Sequence, residues 1–188
     1  HLDYIGSENQ AFIDGNVVVQ DPEMSLTTNK LKYNLETKIA SYFSGANILN
    51  KDNKLYSLKG FYDFSKKSMT FHENVTLENP SYLINCDTLL FNTNSEVAYF
   101  IGPTDIYSSS NYMYCENGWY NTQTDISQFN KNAYLQNKNQ KLFGDSLFYD
   151  KNIGYGVAIK NVQVEDTINN YLINGHRAEI YEENDSSI

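Results

Sequence analysis

Cysteine, proline and positive charge are all scarce in this chain of 188 residues. Its two cysteines are too few for a disulfide framework, and their spacing fits neither a zinc site nor a CxxC redox pair. Lys and Arg number 14 against 23 Asp and Glu and form no cluster, which argues against a nucleic-acid partner. No run of apolar residues is long enough to span a bilayer. The chain begins with His1 and Leu2 rather than a signal sequence, so we expect that any export signal has been removed.

Patterns typical of catalytic and metal sites are also missing. His72 and His176 have no acidic or cysteine partner at ligand spacing, and the Asp and Glu residues fall mostly in turns. No Ser or Cys lies in a nucleophile motif, and the glycines form no phosphate-binding loop. We therefore predict that the protein is not an enzyme and that it holds no metal or cofactor.

Aromatic and small polar residues are abundant instead. The chain has 16 Tyr and 10 Phe, and Asn and Ser are frequent between its apolar runs. Aromatic residues favour strands, whereas Asn and Ser favour the turns that join them. This composition predicts an all-β fold.

An aromatic residue recurs at one constant spacing, at Tyr4, Tyr33, Tyr62, Phe91, Tyr120 and Tyr149. An Asn or Asp follows five of the six, and a second column keeps the same spacing at Leu26, Leu55, Ile84, Met113, Leu142 and Tyr171. A period of this length indicates a stacked array whose units bury a core only against their neighbours. We predict one elongated domain over residues 1–188, with repeats that begin near 4, 33, 62, 91, 120 and 149 and a polar tail at 182–188.

Each repeat is predicted to form two antiparallel strands of roughly ten residues, bent in the middle and separated by polar turns, such as QDPE at 20–23. A recurring Asn indicates the bend, where an extra residue would redirect the strand as a β-bulge. It lies at Asn16, Asn74, Asn132 and Asn161, is displaced to Asn47 once, and is replaced once by Thr104 or Asp105. Together the strands predict a bent antiparallel meander that folds into a V or a flattened tube. We expect its unpaired edges around residues 12–19 and 171–181, on the first and last strands.

Apolar residues alternate with period two along these strands, so one face is expected to point inward. A closed V would make that face a core, whereas a V open along one side would make it a trough for lipid tails, worth about 0.8 kcal/mol per buried CH₂. The alternation leaves both possibilities open. The candidate lining residues are Val17, Val19, Leu26, Ile48, Leu55, Phe71, Val75, Leu77, Ile84, Phe100, Ile106, Met113, Phe129, Leu135, Leu142, Val162 and Val164.

The two cysteines, Cys86 and Cys115, lie one full repeat apart and therefore occupy the same column of adjacent repeats. One strand would separate them, which places their Cα atoms about 9 to 10 Å apart. A disulfide needs Cα atoms within about 4.4 to 6.8 Å. We predict two free thiols that pack as small apolar residues.

Two segments resemble a known family. FIDGNVVVQDPEMSLTTNKLKYN at 12–34 and LFGDSLFYDKNIGYGVAIKNVQVED at 142–166 are similar to the OstA/LptA-like repeats of lipopolysaccharide transport. Both contain an N-V-x-apolar strand and a turn, and the second adds a small residue and Asp before an apolar-x-aromatic-Asp strand. The similarity covers nearly all of the chain, is weaker around 100–118, and is greatest to the Asn-rich and Tyr-rich OstA-like proteins of Bacteroidetes.

The resemblance implies a bent antiparallel jelly roll, the β-taco, in an exported periplasmic protein that bridges the inner and outer membranes. Such proteins shield the acyl chains of lipid A in an apolar groove and join end to end by strand addition. The implied partners are lipopolysaccharide, other β-taco proteins and further copies of the chain. The alternative is a structural or adhesive surface module whose aromatic sheet binds glycan or protein. A wide interior would favour transport, and a dry core with exposed aromatic rows would favour adhesion.

Overall fold

The protein is built almost entirely from β-strands. A computed structural model describes residues 2–20, 22 and 24–181, and among these only Gly6–Glu8 are helical, as a short 3-10 turn. No helix in this part of the chain is long and apolar enough to cross a membrane. The predicted all-β fold is confirmed. The predicted polar tail at 182–188 and part of the predicted turn at 20–23 lie outside the described residues.

The chain divides into two compact units, residues 1–95 and 96–188. Within its described residues, the first unit contains the strands β1 (Leu2–Ile5), β2 (Gln10–Gln20), β3 (Met24–Asn34), β4 (Ile39–Tyr42), β5 (Ala46–Asn50), β6 (Asn53–Ser57), β7 (Lys59–Asp63), β8 (Ser68–Asn79) and β9 (Tyr82–Asn92). The second contains β10 (Val97–Ser108), β11 (Tyr112–Asn121), β12 (Ile126–Gln136), β13 (Gln140–Asp150), β14 (Tyr155–Asp166) and β15 (Tyr171–Tyr181). One domain over residues 1–188 stays a prediction.

All strand pairs within each unit are antiparallel. In the second unit every strand pairs with the next one along the chain. In the first unit two long strands are each split into two, so β3 pairs with both β4 and β5, and β8 pairs with both β6 and β7. The breaks lie at Gly45 and Leu58, where the Gly45 N–H donates to the Leu58 carbonyl over 2.9 Å. The predicted antiparallel meander is confirmed.

The long strands bend in the middle, as predicted, because their register shifts there. At the shifts two consecutive residues adopt positive φ, in the pairs Gly15–Asn16, Glu73–Asn74, Lys131–Asn132 and Lys160–Asn161. Asn tolerates the left-handed region better than most residues with a Cβ, because its short polar side chain can bond locally. This explains why Asn recurs at the four predicted bends.

The two substitute positions were predicted wrongly. Asn47 pairs regularly with Thr27 and Tyr56 inside β5, while Thr104 and Asp105 pair regularly with β11. At the bends of those two repeats the residues with positive φ are Gly45 (82°) and Gly102 (86°). Glycine adopts this conformation without steric cost, so no Asn is needed.

The Asn or Asp that follows five of the six aromatics of the column opens a turn, as predicted. The side-chain Oδ1 of Asn92 accepts the N–H groups of Asn94 and Ser95, each over 3.0 Å, and Asn34, Asp63 and Asn121 accept in the same way. Successive turns are also bonded, since the Thr93 N–H donates to the Lys67 carbonyl over 2.9 Å. Backbone hydrogen bonding between neighbours therefore continues from the strands into the turns.

The predicted edge of the sheet is found at the C-terminal end of the described residues but only in part at the N-terminal end. β15 is the last described strand and pairs with β14 along its whole length, as expected for residues 171–181. At the other end the predicted edge at 12–19 was partly wrong, because β1 covers residues 10–13 of β2. β1 contains Tyr4, the first residue of the aromatic column, so the repeat pattern indicates this strand although the predicted edge overlooked it.

Candidate functional site

One face of the sheet in each unit carries two long rows of apolar side chains far from the bends. The aliphatic row is formed by register partners Val19, Leu26, Ile48, Leu55, Leu77 and Ile84 in the first unit and Ile106, Met113, Leu135, Leu142, Val164 and Ile173 in the second. The aromatic row is formed by Ala11, Tyr33, Ala40, Tyr62, Met69 and Phe91 and by Ala98, Tyr120, Ser127, Tyr149, Gly156 and Ile180. Both follow from the period-two alternation of strands.

Between these two rows, next to the bends, the same face is tightly packed. Large and small residues alternate across neighbouring strands: Phe100 is opposite Gly118, and Gly118 is opposite Phe129. The two rings lie 6.4 Å apart with planes only 20° from parallel. A Cβ added to Gly118 would lie 2.8 Å from the Gln128 carbonyl oxygen and 3.1 Å from the Phe129 ring. This part of the face is therefore a closed core.

The few polar groups in this core are hydrogen-bonded. The Thr28 hydroxyl donates to the Gly45 carbonyl over 2.7 Å, and the Ser57 hydroxyl donates to the Lys59 carbonyl over 3.0 Å. The Tyr42 hydroxyl lies 2.5 Å from Ser57 Oγ, and burial raises the pKa of Tyr42 to about 12. Across the described residues no buried side-chain N or O lacks a partner. The face thus remains apolar although hydroxyls line its bend.

Both cysteines belong to the packed region. Cys86 and Cys115 form no disulfide and are buried, as predicted. Burial raises the pKa of the Cys115 thiol to about 11. At neutral pH this thiol is protonated and packs as a small apolar group.

The sequence matches the family model of the OstA-like protein over residues 1–87 and 84–145. The chain belongs to the OstA-like family. Its structure is similar to the crystal structure of LptH from Pseudomonas aeruginosa, the LptA homologous periplasmic component of the lipopolysaccharide transport device. That likeness has 11% identity and a TM-score of 0.48, and it covers 70% of this chain and 95% of LptH. No curated protein matches the sequence.

The predicted lining residues of this OstA-like chain all lie on the apolar face. Ten of these residues are buried, and seven are partly or fully accessible to solvent. Those that are buried are Val17, Ile48, Leu55, Phe71, Val75, Ile84, Phe100, Phe129, Leu142 and Val162. Leu26, Leu77, Ile106, Met113, Leu135 and Val164 are half-buried, and Val19 is exposed. All seven accessible residues belong to the aliphatic row. The aromatic row is half-buried as well, at Tyr33, Tyr62, Phe91, Tyr120 and Tyr149, so a ligand could reach either row. Binding itself stays a prediction.

Sequence reasoning missed some members of the face. Ile173 completes the aliphatic row opposite Val164, whereas the second sequence column pointed to Tyr171. The difference arises because a turn at 167–170 precedes β15. Beside the bend, Leu31, Gly60, Leu89, Gly118 and Leu147 also recur once per repeat, two positions before the aromatic column, and this spacing would have identified them.

Charge is excluded from the apolar face of the OstA-like chain. The aliphatic and aromatic rows contain no Asp, Glu, Lys or Arg. Several lysines instead pair with carboxylates elsewhere, as in Lys141–Glu165 at 3.3 Å and Lys54–Glu78 at 4.0 Å. His72 also lies off this face, with Nδ1 3.0 Å from Thr88 Oγ1. Among the described residues, no three His, Cys, Asp or Glu side chains are grouped as metal ligands.

Proposed function

We propose that this OstA-like chain is a periplasmic bridge of lipopolysaccharide transport that holds acyl chains against its aliphatic row. The observation that carries the proposal is the partial exposure of that row in each unit, at Leu26 and Leu77 in the first and at Met113 and Leu135 in the second. A row that served only as a core would be buried throughout. In the second unit the accessible Ile106, Met113 and Leu135 lie on three successive strands and offer a surface for a hydrocarbon chain.

The energetics favour tails over head groups as the bound part. Each CH₂ removed from water is worth about 0.8 kcal/mol, so ten methylenes against the aliphatic row would contribute roughly 8 kcal/mol before the cost of ordering the chain. Phosphates would need Lys or Arg for charge-assisted bonds. None lies in the aliphatic row. We therefore expect the phosphorylated head groups to remain in water.

Site-specific photo-crosslinking to lipopolysaccharide tests this arrangement. A photoreactive phenylalanine analogue would replace Leu77 in the first unit and Leu135 in the second, which are half-buried in the aliphatic row. The matched controls are Glu78 and Gln136, the next residues along the same strands, whose side chains point to the opposite face. Capture of lipid at Leu77 and Leu135 but not at the controls is the expected result.

Two further positions separate tail binding from head-group binding. Lys66 and Lys151 lie in exposed turns, and their side chains are 79% and 66% accessible. They should not capture lipid when replaced by the same analogue. Equal capture at the turn lysines and in the aliphatic row would contradict the proposal. Absence of capture at both Leu77 and Leu135 would contradict it as well.

We further propose that copies of the chain associate end to end through β15. This strand pairs with β14 on one side over eleven residues, and no described strand covers its other side. An uncovered edge of that length presents N–H and C=O groups to another strand. Tyr171, Leu172 and Ile173 on this edge are all more than half exposed.

Sedimentation over a range of protein concentrations measures this association. Leu172→Lys should weaken it, because a lysine on an edge strand opposes pairing with another chain. Ile168→Lys is the matched control, since Ile168 is similarly exposed but lies in the turn before β15. A wild-type chain that stays monomeric at all concentrations would refute association through β15, as would an equal effect of the two lysines.

A further inference from the structure

The opposite face of the second unit carries a line of aromatic rings that transport of acyl chains does not use. Tyr107 contacts Tyr112 with ring centroids 5.1 Å apart, and Tyr112 contacts Tyr134 at 5.7 Å. Tyr134 in turn stacks on Phe143 at 4.5 Å, with planes 19° apart. These side chains alternate with Met113, Leu135 and Leu142 of the aliphatic row, so they point away from the apolar face.

The aromatic line ends at an open cleft of about 590 Å³, lined by Phe143, Asn161, Val162, Gln163, Asn174, Gly175 and His176. Clefts of about 300 to 1,000 Å³ are typical of small-ligand sites. Tyr134 covers one face of the Phe143 ring, and the cleft lies beside that ring. One aromatic ring and four polar side chains therefore converge on the same space.

The amide groups of the cleft retain hydrogen-bonding capacity. Gln163 Nε2 donates to Asn174 Oδ1 over 3.2 Å, and Asn161 Nδ2 donates to the Asp145 carboxylate over 3.0 Å. A side-chain amide has two N–H donors and an accepting oxygen. These contacts use one N–H of Gln163 and the oxygen of Asn174, so the Gln163 oxygen can still accept and the Asn174 amide can still donate.

The charge of the lining narrows the class of ligand. No Lys, Arg, Asp or Glu lines the cleft, although both signs are frequent elsewhere on this surface. A phosphate or carboxylate ligand would lack the cation that supplies most of its affinity, and a cationic ligand would lack a carboxylate. A neutral ligand that combines an apolar face with several hydroxyls fits both the ring and the amides.

We propose that this cleft binds a neutral sugar unit of an oligosaccharide. The C–H face of the sugar stacks on Phe143, since the electron-rich face of an aromatic ring attracts C–H hydrogens. The sugar hydroxyls bond to the Asn174 amide and the Gln163 oxygen, which set its orientation. The inference concerns the face opposite the aliphatic row and does not depend on lipid transport.

NMR titration with defined oligosaccharides tests the proposal. The probes are chitohexaose and the dephosphorylated core oligosaccharide released from lipopolysaccharide by mild acid; tetragalacturonate serves as an anionic comparison. At least one neutral probe should shift the backbone amides of β14 and β15 at the cleft and the side-chain amide of Asn174. The neutral probe that binds more tightly identifies the source of the sugar.

Variants of the cleft make the result specific. Asn174→Ala removes one hydrogen bond and should weaken binding about threefold to tenfold. Phe143→Leu removes the ring face and should weaken binding at least as much. Gln128→Ala is the control, because Gln128 is a half-buried amide of the same unit that bonds to Ser146 and lies outside the cleft. Absence of binding by both neutral probes, tighter binding of tetragalacturonate, or equal affinity of the Asn174→Ala variant would each overturn the proposal.

Discussion

Replacement of Gly118 by alanine tests the packing on which the apolar face depends. Gly118 is buried between Phe100 and Phe129, and an added Cβ would lie 2.8 Å from the Gln128 carbonyl oxygen. That oxygen belongs to the backbone of a paired strand and cannot move without disturbing the sheet. The Phe129 ring, 3.1 Å from the same Cβ, would also have to shift. Overpacking of this kind costs about 1 to 3 kcal/mol.

The matched control is Gly156→Ala in the same unit. Gly156 is also buried, but its nearest atoms would lie 3.5 Å from an added Cβ, which is an ordinary contact. Neither glycine has the positive φ that would strain alanine. Alanine at 156 should therefore be neutral or should stabilise by about 0.4 to 1 kcal/mol, because it restricts the unfolded chain.

Urea unfolding followed by circular dichroism measures the difference. We expect Gly118→Ala to lower the free energy of unfolding by about 2 kcal/mol relative to Gly156→Ala, or roughly 4 to 8 °C in Tm for a chain of this length. Equal stability of the two variants would show that the rings do not fill the space over Gly118. In that case the alternation of large and small residues would not account for the close packing of the apolar face beside the bend.

Three other predictions follow from single contacts. In an alkaline absorbance titration, Tyr42→Phe should remove one tyrosine that ionises near pH 12, because burial raises its pKa from 10.0 to about 12. Since the folded pKa is the higher one, this hydroxyl stabilises the fold below pH 10, and the contribution is lost as the pH rises towards 12. Asp63→Asn should unfold in urea like the wild type, because Asn34 accepts the equivalent turn bonds, whereas Asp63→Ala loses both turn bonds and should unfold at a lower urea concentration. Cys86 and Cys115 should react with Ellman's reagent only after unfolding, since both are buried, and rapid reaction of either in the native protein would contradict this.

The spacing of residues along the chain predicted those features of the fold that have the same structure in every repeat. The bends at Asn74, Asn132 and Asn161 could be recognised because positive φ restricts the choice of residue. The residues of the apolar face could be recognised because strand alternation sorts side chains by face. Both signals are local to a few residues, so neighbouring strands do not need to be known.

The predicted residues were wrong where one repeat forms its bend or turn with residues other than those of the remaining repeats. Gly45 and Gly102 replace Asn at two bends, and a search for Asn therefore pointed to neighbouring residues that pair normally. At β15 the preceding turn shifted the register, so that Ile173 took the place expected for Tyr171. Spacing along the chain does not reveal such shifts, because they depend on how one strand is aligned with the next.

The aromatic line beside the polar cleft could not be predicted from columns at all. Tyr112, Tyr134 and Phe143 do not share a column of the repeat, and they meet only because β11, β12 and β13 are aligned as they are. A feature confined to a few strands leaves no periodic signal. Repeat analysis is therefore best at finding what all repeats share and weakest at finding what distinguishes one region.

The alternation of leucine and glycine beside the bends restricts how such a chain can lengthen in evolution. Leu2, Leu31, Gly60, Leu89, Gly118 and Leu147 occupy one column. From Leu31 onward leucine and glycine alternate, so in that part the pattern restores itself after two repeats and not after one. A gene duplication that copied a single repeat would place two leucines or two glycines in succession, which would crowd the flanking rings or leave a cavity between them. A duplication of two consecutive repeats would keep every ring beside its glycine. We therefore expect that, within the alternating part of the array, insertion of a pair of repeats destabilises the fold less than insertion of a single repeat.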